Sequence, residues 1–164
     1  MNLVLDIGNT LLKAGLFKNN VQINYFEFNK NYYENIRNIL GCNQILYSIV
    51  SNVSSSENKL IQLLKIKTQF IPFNSSLKIP FKNNYKSKRT LGQDRIALVS
   101  SSMKQYPDEN VLIIDLGSCI TYDFINSENE YKGGAISPGL IMRYKSLNNF
   151  TSNLPLLEPK KINY

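Results

Sequence analysis

The chain has 164 residues, 43% of them hydrophobic and 19% charged, a composition ordinary for a globular protein and enough for one solid core or two small lobes. It contains no histidine, so a His-based triad or zinc site is excluded and acid–base chemistry falls to carboxylates or lysine. The net charge of +7 is dispersed, with Lys, Asn, Ile and Tyr all abundant, which points to compositional bias more than to a polyanion as partner.

No segment approaches the length of a membrane span, and the N-terminus lacks the basic start and apolar run of a signal peptide. Cys42 and Cys119 are far apart and suggest free thiols in a reducing cytoplasm.

In chain order, the first informative stretch is residues 2–17. An apolar run, Leu3 to Leu5, ends in Asp6; Gly8 follows, then Asn9, Thr10 and Lys13, and apolar residues resume with β-like spacing. This predicts a hairpin whose tip carries an acid, two small polar side chains and a cation. The glycine permits a sharp turn that brings backbone N–H groups near an anion. Asp6 could hold Mg²⁺ or a water, and Lys13 could face a phosphate as a point charge. The same residues also suit a plain turn.

Residues 21–28 alternate like a half-buried strand completing a meander. Tyr32 to Leu40 has helical spacing, with Tyr33, Ile36, Ile39 and Leu40 on one face and Gly41 as the stop. Gln44 to Val50 reads as a strand, Ser54 to Ser56 as the cap of a helix through Lys65, and Thr68 to Phe73 as another strand. The order β-β-β-α-β-α-β implies a mixed sheet with helices against it.

From Ser75 to Arg89 the texture shifts to a basic linker with interleaved aromatics, Lys82, Lys86, Lys88 and Arg89 beside Phe81 and Tyr85. Such a stretch can contact nucleic acid, line the approach of an anionic substrate, or be a solvated loop; the last is favoured and nucleic acid disfavoured. Thr90 and Gln93 fit a capping box ahead of a helix from Ile96 to Tyr106, which Pro107 stops. Asp94 and Arg95 then fall in the first helical turn, where the helix dipole favours a carboxylate's charge. An acid there is common. An adjacent Asp and Arg after a glycine also suit catalysis, the acid accepting a hydroxyl proton and the guanidinium clamping a carboxylate.

Residues 111–126 repeat the opening pattern. An apolar strand runs into Asp115, then Gly117 and Ser118, and beyond the turn Ile120, Tyr122 and Phe124 alternate with Thr121 and Asp123. Asp6 aligns with Asp115 and Gly8 with Gly117, 109 residues apart. Two such tips facing each other would clamp a nucleotide's phosphates. Residues 131–140 read as a Gly/Pro loop allowing close backbone approach, followed by a helix from Ile141 to Phe150 and a tail over 151–164.

Four motifs then agree in order with a known family: Asp6 to Thr10 with Lys13; Gly92 to Arg95; Asp115 to Ser118; and Gly133 to Leu140, supported by Leu147 to Pro155. The chain resembles type III pantothenate kinase, of the acetate-and-sugar-kinase/Hsp70/actin superfamily. The resemblance implies an α/β, ribonuclease H-like or actin-like ATPase fold: a complete N-terminal lobe over residues 1–74, the basic linker over 75–89, and an incomplete second lobe over 90–164.

By family role it implies ATP-dependent phosphorylation of pantothenate, the first step towards coenzyme A, in a cytoplasmic homodimer. Asp6, Ile7, Gly8, Asn9, Thr10, Leu11, Leu12 and Lys13, with Ser118, would bind ATP, and Asp6 would hold Mg²⁺ through it. Asp94 would be the catalytic base. Tyr85, Gly92, Gln93, Asp94 and Arg95 would bind pantothenate, Arg95 meeting its carboxylate. Asp115 would bind a monovalent cation, K⁺ or NH₄⁺. The alternative is a non-catalytic nucleotide-binding or regulatory relative, an accessory to transcription using residues 78–89. The sequence departs from the family at Ser118-Cys119, where Thr-Ala is usual and the hydroxyl survives. It also stops at Tyr164, whereas family members continue for many tens of residues that carry a substrate-contacting Thr and the Gly-rich wall of the adenosine pocket.

Overall fold

The computed structural model describes residues 1–8, 10–52, 58–74 and 77–159. They form a mixed α/β protein with two sheets. Contacts divide the chain into two units, Met1–Ile79 with Arg89–Ala97, and Pro80–Lys88 with Leu98–Tyr164.

The first unit holds β1 (Asn2–Ile7), β2 (Leu12–Lys18), β3 (Val21–Phe28), α1 (Tyr32–Cys42), β4 (Tyr47–Asn52), α2 (Asn58–Lys67) and β5 (Gln69–Ile71). This is the order expected from the sequence. The strands lie in the order β3-β2-β1-β4-β5, so β1 is central, antiparallel to β2 and parallel to β4. Period-2 alternation puts Leu3, Leu5 and Ile7 of β1 on the same side as Leu12, Ala14 and Leu16 of β2, all fully buried. Ile36 and Ile39 of α1, Val50 of β4, and Leu60 and Leu64 of α2 complete this core. The helical pairs sit at i,i+3 and i,i+4, one stripe per helix.

Several boundaries moved. The helix expected to stop at Gly41 runs through it to Cys42, where the Asn43 side-chain amide caps it by donating to the Ile39 carbonyl at 2.9 Å. Tyr33, expected on its inner face, is exposed. The strand expected from Gln44 begins at Tyr47, because its parallel partner β1 begins at Asn2, opposite Tyr47. Thr68 directly follows α2 and is tied to its last turn, its amide and hydroxyl both donating to the Leu64 carbonyl, so β5 is short and Pro72 follows it. The cap expected at Ser54 to Ser56 lies outside the described residues.

The second unit holds β6 (Lys82–Asn83), β7 (Val111–Leu116), β8 (Cys119–Ile125), β9 (Glu130–Pro138) and α4 (Leu140–Phe150). A short 3₁₀ turn, Lys88–Thr90, precedes α3 (Gln93–Gln105), whose first residues belong with the first unit and whose remainder belongs with the second. The sheet order is β6-β9-β8-β7. Residues 131–140 read from sequence as a Gly/Pro loop, but all of them up to Pro138 belong to the strand β9, and residues 82–83 of the basic linker pair with it in parallel. Where β1 has a parallel strand on its far side, β7 has none among the described residues, and Leu112, Ile114 and Leu116 are exposed.

The short β6 is fastened by charge. Glu130 accepts hydrogen bonds from the Lys132 ammonium and from that of Lys82, the latter at 2.6 Å. These two partners, Lys132 first, hold the Glu130 carboxyl at about 2, below its ordinary 4.5, and the same pairing pushes Lys82 up.

Two expectations follow. Leu5→Ala should cost about 2–5 kcal/mol in urea denaturation, whereas Val4→Ala, 40% exposed on the opposite face, should cost far less. Glu130 has a depressed folded pKa, so its contribution is present above the unfolded carboxyl's 4.5 and lost as pH falls towards 2. Glu130→Gln should therefore unfold at a slightly lower temperature than wild type at neutral pH, the gap closing across that acid window. A gap independent of pH would refute the ion pair.

Candidate functional site

Burial of Leu3, Leu5 and Ile7 leaves Asp6 on the other face of β1, half-buried. There it stands between Lys13, its antiparallel partner on β2, and Ser51, its parallel partner on β4; Lys13 in turn pairs with Glu27. The Ser51 hydroxyl is buried with no hydrogen-bond partner among the described residues. The Tyr25 hydroxyl donates to Glu27 Oε1 at 2.6 Å. That bond first, then burial and the charges of Glu27 and Asp6, push the phenol up to about 12. The row is thus a carboxylate, an exposed ammonium and a second carboxylate, with Lys13 the group able to meet an anion.

The Gly8 amide closes the turn by donating to the Leu11 carbonyl at 3.0 Å, so this N–H serves the hairpin itself. Thr10 is exposed at the tip, its carbonyl accepting from the Tyr32 hydroxyl at 3.4 Å. Ile7 and Leu12, expected among the nucleotide-contacting residues, have side chains fully buried in the core and could contact a ligand only through their backbone. Asn9 lies outside the described residues.

Gly92, Gln93, Asp94 and Arg95 form the approach to α3 and its first turn, as the spacing predicts. Asp94 Oδ1 accepts the Arg95 amide at 2.8 Å, and the carboxylate lies over Gly92, where any larger residue would collide with it. Arg95 is buried. The Gln93 side-chain amide reaches the Phe73 carbonyl at 2.7 Å, a tie across twenty residues that no local pattern foretells. Gln93 also lines a groove of about 630 Å³ with Val50, Ile61, Lys65, Phe70 and Pro72. Its walls are mainly apolar, which marks it as a feature of the α2–β5 side and not as the place of charge transfer.

The second hairpin is built like the first, with one difference in register. Asp6 pairs with Lys13 seven residues on, whereas Asp115 pairs with Thr121 six residues on. The shorter turn, closed by the Gly117 amide on the Cys119 carbonyl at 2.9 Å, therefore sets a hydroxyl where the first hairpin has a cation. Asp115 and Ser118 are exposed. Gly139 packs on this turn, its amide donating to the Ser118 carbonyl at 3.0 Å, and a side chain there would collide with the carbonyl oxygens of Gly117 and Ser118. That close approach joins the third motif to the fourth.

Alternation on β8 is the reverse of what polarity suggests. Thr121 and Asp123 are buried and Phe124 is exposed. The Thr121 hydroxyl has no hydrogen-bond partner among the described residues, while Asp123 accepts from the Tyr131 hydroxyl at 2.5 Å. Tyr85, beyond β6, is half-buried and stacks on Tyr131. Sequence reasoning picked out Tyr85 as an aromatic of the basic linker but tied it to the acceptor only through family resemblance, and it missed Asp123 and Tyr131; the visible signal was a carboxylate inside a strongly apolar strand.

Among the described residues no helix is long and apolar enough to cross a membrane, and no group of three or more Cys, Asp or Glu is placed to hold a metal ion by itself. Cys42 and Cys119 are free thiols.

A family profile described as type III pantothenate kinase matches residues 2–163. The chain is similar to the type III pantothenate kinase of Christiangramia forsetii, 47% identical over 98% of this chain and 67% of the relative. It is similar to that of Flavobacterium psychrophilum, 40% identical over 99% of this chain and 69% of the relative, and to that of Bacteroides fragilis, 37% identical over 96% and 65%. It thus spans about two thirds of the length of these curated relatives. A crystal structure from Campylobacter jejuni, described as a candidate Baf family transcriptional activator, superposes with a TM-score of 0.56 at 27% identity, covering 92% of this chain and 60% of that one. With a profile running almost end to end and relatives of one name at these identities, the chain belongs to the type III pantothenate kinase family, whose members phosphorylate pantothenate with ATP.

Proposed function

We propose that this chain carries the phosphate-handling and acceptor-binding residues of an ATP-dependent pantothenate kinase with an actin-like ATPase fold, producing 4'-phosphopantothenate. The observation that carries the reading is the family match over residues 2–163, to which a doubled acid–glycine hairpin corresponds in the fold. On this reading Thr10, Lys13 and the backbone from Asp6 to Leu12 bind the ATP phosphates, joined by Ser118. Asp94 takes the proton of the pantothenate hydroxyl as the phosphoryl group arrives. Its place beside Arg95, whose guanidinium would meet the acceptor's carboxylate, suits both tasks. Phosphoryl transfer asks mainly for aligned reactants and neutralised charge, which Lys13 and the acceptor-binding residues supply.

The donor chemistry also fits the ions the family uses. Asp6, with the Ser51 hydroxyl beside it in register, is an all-oxygen set of the kind that holds Mg²⁺ together with nucleotide phosphates, and Mg²⁺ would neutralise their charge. Asp115 with Thr121 is likewise all-oxygen and suits K⁺ or NH₄⁺. We also propose that the protein acts in the cytoplasm and as a homodimer.

A second reading, a non-catalytic regulator, is favoured by the similarity to the Campylobacter jejuni structure described as a candidate transcriptional activator. Against it, Lys82 is engaged by Glu130, a counter-charge that offsets its attraction for a polyanion.

A coupled assay with ATP and pantothenate separates the two. Pantothenate-dependent turnover should fall by roughly 10²–10⁴-fold in Asp94→Asn with little change in unfolding temperature. Absence of turnover in the wild type, or equal rates in the variant, would end the kinase reading; DNA binding without turnover would establish the regulator.

A further inference from the structure

One buried carboxylate has no part in the roles above. Asp123 lies in mid-β8, fully buried, and accepts a hydrogen bond from Tyr131, which is also fully buried. A register shift brings the two together: Phe124 faces Gly133, yet Ile125 faces Tyr131, so Lys132 is the extra residue of a bulge. Such a bulge re-aims its neighbour's side chain, here turning Tyr131 onto the buried face that carries Asp123. A buried carboxylate is tolerated only with hydrogen-bond donors in place, so the Tyr131 ring is held in one orientation.

That ring is a platform. Phe81 meets it edge-on with centroids 5.7 Å apart, and Tyr85 stacks on it at 6.1 Å with planes 25° apart. The backbone leading to Tyr85 is fixed to the same strand. The Lys82 amide donates to the Asn129 carbonyl, the Asn84 amide to the Tyr131 carbonyl, and the Tyr85 amide to Asn83 Oδ1. The Tyr85 ring also lies against Gly133, where φ is +103° and an added Cβ would lie 3.1 Å from Tyr85 Cδ2.

We propose that Asp123 and Tyr131 are positioning residues for the acceptor site: the Asp123–Tyr131 hydrogen bond fixes the Tyr131 ring, and that ring presets the half-exposed Tyr85 in the orientation that meets pantothenate. This rests on the kinase reading and on Tyr85 as an acceptor contact. Presetting matters because a side chain that must be immobilised on binding weakens the complex.

The test uses Tyr131→Phe, Asp123→Ala and the conservative Asp123→Asn, which keeps an oxygen to accept from Tyr131. The first two should raise the pantothenate KM roughly three- to tenfold with kcat and the ATP KM nearly unchanged, and Asp123→Asn should restore it. Ile125→Ala, a core change in the same strand, should lower the unfolding temperature without that split. The second readout is the NMR signal of the Gly133 α-protons without ligand, shifted by the Tyr85 ring and returned towards its random-coil position in Tyr85→Ala. It should move the same way in Tyr131→Phe and Asp123→Ala but not in Asp123→Asn. An unmoved Gly133 signal in folded Asp123→Ala, or kcat falling together with stability, would overturn the proposal. If the wild type turns over no pantothenate, the kinase reading fails, and the Gly133 signal still decides whether Asp123 orients Tyr85.

Discussion

The register of β1 is the constraint on which the first unit depends. Leu3, Leu5 and Ile7 are fully buried, and because a strand repeats every two residues a one-step slip would put all three in water and drive Asp6 into the apolar core. Hydrophobic burial therefore aims the carboxylate. The same lock acts on β2, where Leu12, Ala14 and Leu16 leave Lys13 across from Asp6. The turn between them has only to close, which the Gly8 amide and Leu11 carbonyl accomplish. A charged pair at a strand end needs no energetic contribution of its own when the core has already fixed both partners.

The two hairpins share this design and diverge where a charged ligand would feel the difference. A turn shorter by one residue replaces the lysine opposite the acid with a threonine. An acid facing an ammonium can meet an anion through that cation, whereas an acid facing a hydroxyl offers oxygens alone and suits a cation. The proposed division, phosphates at the first hairpin and a monovalent ion at Asp115, follows from that one-residue change. The second turn also carries a steric requirement, since Gly139 rests directly on its carbonyls.

Much of the first unit was legible because its signals are local. Alternation over 2–7, 12–18 and 21–28 and the paired stripes of α1 and α2 are each readable in a short window, and the elements stand in the expected order. The second unit was harder to read because its determinants are pairings. Residues 82–83 are too few to show a period and become a strand only against β9. Residues 130–138 carry glycine and proline, which locally read as a loop. Gly134 is instead a strand residue pressed against the Tyr122 carbonyl, a requirement imposed by β8. At the site, Asp94 fell in the first helical turn as expected, but the cap expected at Thr90 is displaced: α3 begins at Gln93, its first hydrogen bond running from the Ile96 amide to the Gly92 carbonyl. The Gln93 side chain reaches the distant Phe73 carbonyl, a contact that could not be read from either neighbourhood.

Inverted alternation on β8 shows why polarity misleads in such a case. Ile120, Tyr122 and Phe124 would by hydrophobicity alone turn inward, yet Thr121, Asp123 and Ile125 are the buried set. The antiparallel ladders decide the matter, because Asp115 is registered beside Thr121, and an exposed Asp115 at the strand end continues into the buried Thr121–Asp123 row. The first sheet's core face is apolar apart from Ser48, whose small hydroxyl meets that of Thr68 at 2.6 Å, so a buried carboxylate is no demand of the architecture. Burying Asp123 sacrifices its hydration, and the compensating phenol of Tyr131 is bulky, conformationally committed and stacked on the next ring. An aliphatic residue in place of Asp123 would avoid the cost in desolvation but would leave the orientation of Tyr131 to packing alone; the hydrogen bond between two fully buried groups defines it by direction.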